Sequence, residues 1–253
     1  MSDARQRFTS RVDAYRRYRP DYPAALLPEL LEHCGLAAGA IAADIGSGTG
    51  IFSDHLLRHG LEVYAVEPND AMRQAADRQF SGQARFHSVA GGAEDTGLAG
   101  ESVDLVSAAQ AFHWFNNEAT HREFARILKP HGWLALVWNR RDLSDPFQQV
   151  YDSLLREFAP EYGKVNHMNL ERDDIAAFFA AGDPHECHFE NLQRLDFHRL
   201  LGRLKSSSYC PAEDSPLYLP LVNELLAQFD RHARDGQIEF RYDTCLYLGK
   251  IAR

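Results

Sequence analysis

The chain has 253 residues, of which 45% are hydrophobic, 11% aromatic and 25% charged. Fractions this close to the globular average exclude disordered, collagen-like and coiled-coil proteins. Lys plus Arg number 27 against 36 Asp plus Glu, a formal net charge of −9. The phosphate attraction that supplies most nucleic-acid affinity is therefore missing, and no nucleic-acid partner is expected. No apolar run reaches the ~18 residues of a membrane span. Residues 1–9 are polar and Arg-bearing, unlike a secretory signal. Cys34, Cys187, Cys210 and Cys245 lie far apart with no C-x-x-C pair, a pattern of reduced thiols rather than a disulfide frame. These features predict a cytoplasmic protein without a membrane partner, either monomer or homodimer.

The predicted elements begin with an arginine-rich helical stretch to about Leu36, carrying Arg5, Arg7, Arg11, Arg16, Arg17 and Arg19 and interrupted by Pro20 and Pro23. Pro23 restarts a helix as its first residue. From residue 40 short strands and helices alternate: strand 41–45, helix 51–59 stopped by Gly60, strand 61–66, helix from the Asn69 cap to about Phe80, and strand 84–89. Strand 103–108, helix 118–128 ended by Lys129-Pro130-His131-Gly132, and strand 133–137 follow. Near-continuous apolar strands alternating with helices predict a doubly wound α/β fold with a mostly parallel sheet. Later helices are expected at 145–158, 173–181 and 216–232, with strands at 188–197 and 238–248. The reading is one structural domain: an N-terminal helical lid (1–36), a cofactor-binding core (37–140), and last strands with an inserted helical cap (141–253).

Asp44-Ile45-Gly46-Ser47-Gly48-Thr49-Gly50 follows a strand and opens a helix, the context a glycine-rich cofactor loop requires. Glu67 ends the next strand, at about the spacing of an acid that accepts both ribose hydroxyls. The triplet is G-x-G-x-G rather than G-x-G-x-x-G, so a pyrophosphate cradle is not reproduced. Asp44 at the strand end suits a cationic amino group and would repel a pyrophosphate. Both details favour S-adenosylmethionine (SAM) over a dinucleotide.

With these residues the chain resembles the class I SAM-dependent methyltransferases. The matching segments are residues 44–50, Val66-Glu67-Pro68 with Met72, Gly92-Ala93-Glu94-Asp95, residues 102–106 and residues 127–132. A narrower resemblance, to the trans-aconitate methyltransferase-like branch with its seven-stranded sheet, rests on residues 15–23, 108–115, 202–209 and the closing strand 242–249. The resemblance implies that Asp44, Gly46, Ser47, Gly48 and Gly50 hold the methionine part of SAM. Glu67 and Pro68 would take the ribose, Met72 would pack beside the adenine, and Ala93 and Glu94 would flank its edge. Gln110 to His113 would line the space between sulfonium and substrate. Gly92 stands where many relatives carry an acid.

His113 is the candidate base, since imidazole suits proton transfer near neutrality; the other reading is a histidine packed on Trp114. Phe112, Trp114 and Phe115 offer an aromatic wall for the substrate, with at least one of them, Phe115 in preference, belonging to the core. Tyr15, Tyr18, Arg19 and Tyr22 are candidates to touch the methionine carboxylate or an acidic substrate; a solvated helix face and a nucleic-acid arm are the competing readings. Arg203 and Tyr209 offer donors to a carboxylate, or simply end a helix. No metal is expected: His55 and His59 lack the H-E-x-x-H pattern, and His185-Glu186-Cys187-His188 alternates between strand faces without a second cluster at zinc spacing. No Ser-His-Asp or G-x-S-x-G arrangement supports a hydrolase. The predicted activity is methyl transfer from SAM to an oxygen, carboxylate or hydroxyl, of a small molecule. RNA or protein methylation and a non-catalytic SAM-binding regulator are the alternatives.

Overall fold

Strands whose residues alternate between two apolar cores need cover on both faces, and that requirement shapes this molecule. A computed structural model describes residues 11–165, 172–180 and 184–252; Arg5, Arg7 and Ala181 of the predicted helices lie outside them. Seven strands form one sheet: β1 (Ile41–Ile45), β2 (Glu62–Val66), β3 (Phe86–Val89), β4 (Val103–Ala109), β5 (Leu128–Arg141), β6 (His185–Leu195) and β7 (Ile238–Gly249), in the order β3-β2-β1-β4-β5-β7-β6. The first five run parallel. β7 runs antiparallel to both β5 and β6. This is the doubly wound, mostly parallel α/β sheet that the alternation predicts.

On one face Ala43, Ile45, Val106, Leu134 and Leu136 join one apolar core. On the other Ala42, Leu105, Ala135 and Val137 meet helices α2 (Leu26–Cys34) and α3 (Ile51–Arg58) through Leu27, Leu30, Phe52 and Leu56. Helix α1 spans Val12–Tyr18 among the described residues. α4 (Asp70–Gln79) and α5 (Glu118–Ile127) begin at Asn69 and Asn117, whose side chains accept the N–H groups of Met72 and Thr120.

One boundary differs from the sequence expectation. Leu128 already pairs with Val103, the register then shifts, and pairing resumes at Leu105 with Trp133. Lys129 to Gly132 therefore interrupts β5 rather than preceding it, because Leu128 already pairs with β4, and antiparallel pairing with β7 extends the other end of the strand to Arg141. α6 (Pro146–Phe158), α7 (Tyr162–Val165) and α8 (Arg172–Ala176) lie between β5 and β6, and α9 (Phe197–Lys205) and α10 (Tyr218–His232) between β6 and β7. α6, α9 and α10 share a third core through Leu154, Leu200, Leu204, Leu221 and Leu225.

α1 is fastened to this cap. Arg11 donates to the carbonyls of Ser207 and Cys210, and Arg19 to that of Ser206. The C-terminal end of α9 exposes carbonyls without helical partners, and guanidinium groups satisfy them. The strand order reverses between β1 and β4, which themselves run parallel, and ligands bind in such folds at the carboxyl ends of the strands beside that switch.

Candidate active site

Two adjoining cavities open there, one of about 270 Å³ and one of about 30 Å³, and Tyr15, Gly46, Ala109 and Gln110 line both. Gly46 turns the chain out of β1 with φ +67°, and a Cβ there would lie 2.7 Å from the Ala111 Cβ. Gly48 also has positive φ, and the nearest atom to its missing Cβ is a Tyr15 ring carbon at 3.9 Å. Glycine alone tolerates both the backbone and the approach of a ligand. Gly50 sits behind the loop as the residue that opens α3.

Glu67 lies at the end of β2, buried at 8% exposure. Its Oε2 accepts the Gly48 N–H and its Oε1 the Asn69 N–H, each at 2.8 Å. Burial raises its pKa, and the two N–H groups work against that rise. Each oxygen keeps a lone pair for a further donor, the requirement for holding a pair of hydroxyls. Pro68, Met72, Ala93, Glu94 and Trp114 complete the larger cavity on the sides where an aromatic base would lie. The Asn117 amide donates to Glu94 at 3.1 Å.

Asp44 lies at the floor of the smaller cavity, 1% exposed. Ser53 and Ser107 donate to its two oxygens at 2.6 and 3.0 Å. Burial pushes its carboxyl up to about 6, with the serine hydrogen bonds opposing. A buried carboxylate without a cation is under-compensated, and an ammonium group supplies what it lacks. Ser47 lines the same cavity, and its buried hydroxyl has no partner among the described residues. These features fit the methionine end of SAM at Asp44 and its nucleoside end at Glu67.

The smaller cavity also gathers Arg19, Tyr22 and Arg203. Arg203 is 6% exposed, and it donates to the Tyr242 hydroxyl at 3.1 Å and to Ser207 Oγ at 3.2 Å. Arg19 lies over the Tyr15 ring at 4.8 Å, and its Nε is buried without a partner among the described residues. Burial and the charge of Arg203 both lower its pKa. Neither guanidinium is paired to a carboxylate among the described residues.

Besides Gly50, four sequence candidates line neither cavity. Phe112 is fully buried, edge-on to Phe178 and Trp138, so it belongs to the core; Phe115 joins the same core, as expected, and also lines the larger cavity. The 3-10 turn Phe112–Trp114 rotates one ring inward and leaves Trp114 beside the cavity. His113 lines neither cavity; burial, then the charge of Arg19, hold its pKa down at about 3. An imidazole so weakly basic is a poor proton acceptor at neutral pH. Tyr18 faces away, edge-on to His198 and against the backbone of Gly202. Tyr209 packs edge-on to Tyr162 under the cap.

Asn139 was not among the candidates. It is 2% exposed in the smaller cavity, bonds the Asp21 carbonyl with its amide, and accepts the Gln110 amide on its own carbonyl. Its signal in the sequence is a lone amide directly after an apolar strand. Gln110 itself has φ +57°, a strained backbone that points it between the two cavities.

Known proteins similar to this chain are methyltransferases. Residues 43–136 match a methyltransferase domain family. An uncharacterized methyltransferase of Mycobacterium tuberculosis is 32% identical over 97% of this chain and 96% of its own. Another, from Schizosaccharomyces pombe, is 27% identical over 95% of each. Among solved structures, a candidate type II methyltransferase from Anaeromyxobacter dehalogenans shares the fold with a TM-score of 0.66 at 24% identity, over 93% of this chain and 99% of its own. A phosphoethanolamine N-methyltransferase of Haemonchus contortus, solved with S-adenosylhomocysteine, gives 0.53 at 14% identity, over 100% of this chain and 61% of its own. With a glycine loop tied to Glu67, a buried Asp44 and these relatives, the chain belongs to the class I SAM-dependent methyltransferases.

Proposed function

We propose that this enzyme methylates a carboxylate oxygen of a small, acidic molecule. The observation that carries this reading is the pair Arg19 and Arg203, two cations lining the smaller cavity without carboxylate partners among the described residues. Two guanidinium groups lining one cavity repel one another, as the lowering of the Arg19 pKa by the Arg203 charge reflects, and an anion between them relieves the repulsion.

When bound, SAM supplies a methyl carbon on a positively charged sulfur, which an acceptor oxygen displaces in line. A carboxylate needs no base for that step, consistent with the position of His113 outside both cavities. The contribution of the chain is alignment and exclusion of water, an entropic gain that reaches roughly 7–11 kcal/mol in well-oriented systems. Glu67 and Asp44 orient the cofactor from its two ends. Arg19 and Arg203 hold the acidic acceptor, and Tyr15, Tyr22 and Trp114 shield the reacting space.

The test is a panel of carboxylic acids, phenols and amines, with formation of demethylated cofactor as the readout. Turnover on acids that yields base-labile methyl esters is expected. Arg203→Lys should raise KM for the acid by about tenfold or more with a smaller effect on kcat, since a bidentate partner is replaced by a point charge. Turnover confined to phenols or amines would overturn the acceptor assignment.

A further inference from the structure

The two faces of β6 divide the sequence His185-Glu186-Cys187-His188 between two clusters. His188 is satisfied as a cation, with Nδ1 on Asp243 at 2.8 Å and Nε2 on Glu186 at 3.2 Å. On the opposite face His185 and Cys187 meet Glu29 of α2. There the Cys187 Sγ lies 3.1 Å from His185 Nε2 and 3.8 Å from Glu29 Oε1, and His185 Nε2 lies 3.6 Å from that same oxygen. A tetrahedral zinc ion with bond lengths of 2.0–2.3 Å separates its ligand atoms by about 3.4–3.6 Å. The three donors already stand at nearly that spacing. His33, one helical turn after Glu29, stacks on His185 with ring centroids 4.1 Å apart.

We propose that Glu29, His185 and Cys187 form a binding site for a zinc-type divalent cation, with water in the open fourth position. Thiolate and imidazole donors select zinc over magnesium or calcium. The thiol proton leaves on binding, so the ion and a free thiol give a metal thiolate and one proton, and affinity rises with pH. Burial and the charge of Glu29 keep the metal-free thiol protonated. The site joins α2, the last helix of the N-terminal lid segment, to the edge strand β6, whose Asn191 and Gln193 hold the carbonyls of Asp21 and Tyr18. Bound metal would fasten the lid segment to the sheet.

Titration of the whole protein with Co²⁺ tests this directly. A thiolate-to-cobalt charge-transfer band should appear at one equivalent and vanish on addition of Zn²⁺. Cys187→Ser should abolish the band, and Glu29→Gln or His185→Ala should weaken binding by more than about tenfold, the smallest effect seen for outer-shell partners. Cys245→Ser, which disrupts only the opposite cluster, should leave the band intact. Glu29 and His185 are 44% and 43% exposed and Cys187 is half-buried, while Cys245 is fully buried and serine nearly matches its size; an unchanged metal-free melting temperature verifies that each variant folds. Absence of the band, or a band that survives Cys187→Ser, would overturn the site.

Discussion

Glu67 Oε2 accepts the Gly48 N–H at 2.8 Å, so the carboxylate at the tip of β2 holds the glycine loop that follows β1. The same group is the candidate ribose anchor, and loop geometry and cofactor binding therefore depend on one side chain. Glu67→Ala should weaken SAM affinity by about 10- to 100-fold, since hydrogen bonds to a charged group contribute about 1.5–3 kcal/mol. Calorimetric titration measures it. Affinity within twofold of wild type would remove Glu67 from the site.

Asp44 gives a pH signature. Its carboxyl titrates at about 6, above the ordinary 3.8. A raised acid contributes stability that is complete below the unfolded value and lost as pH rises through the folded one. The cofactor-free protein should thus lose up to ~3 kcal/mol from this group between pH 4 and 7. Asp44→Asn, which mimics the neutral acid, should melt higher than wild type at pH 7, with the gap closing toward pH 4. SAM affinity should show the opposite trend in wild type, falling below pH 6, and little dependence on pH in that range in Asp44→Asn.

His113 titrates at about 3 and lines neither cavity. The kcat–pH profile on a carboxylate acceptor should show no inflection near 6.5, and His113→Gln should leave the profile's shape unchanged. A lost inflection in the variant would restore the imidazole as a base.

Under the cap, Arg141 and Asp152 pair at 2.8 Å with side chains 3% and 11% exposed. Tyr162 and Arg156 also bond Asp152. Asp152→Ala strands the Arg141 charge in the interior and should cost about 3–5 kcal/mol, read by denaturant unfolding. A larger loss is not expected, because Tyr151 and Tyr162 still face the guanidinium.

The glycine loop, Glu67 and the parallel half of the sheet were legible because their signals are local: a strand, a turn and a helix start within a few residues. Asp44 was legible for the same reason. Phe112 left the expected aromatic wall for the core because a 3-10 turn after β4 breaks the strand period, and spacing alone does not reveal a 3-10 turn; Phe115 lies in the core as expected and also lines the larger cavity. Arg203 joined the site across the cap, while Tyr18 and Tyr209 were drawn into helix packing against α9 and Tyr162. Asn139 escaped notice because antiparallel pairing with β7, more than a hundred residues later, decides how far β5 runs. Contacts between distant segments leave no local trace, and the acceptor half of the site is made of them.

The most direct measurement is calorimetric titration of the purified protein with SAM, its demethylated product and NAD. The two joined cavities predict saturable binding of SAM and product, no binding of NAD, and marked weakening in Glu67→Ala. Binding of NAD, or SAM binding indifferent to Glu67, would contradict the assignment of the glycine loop.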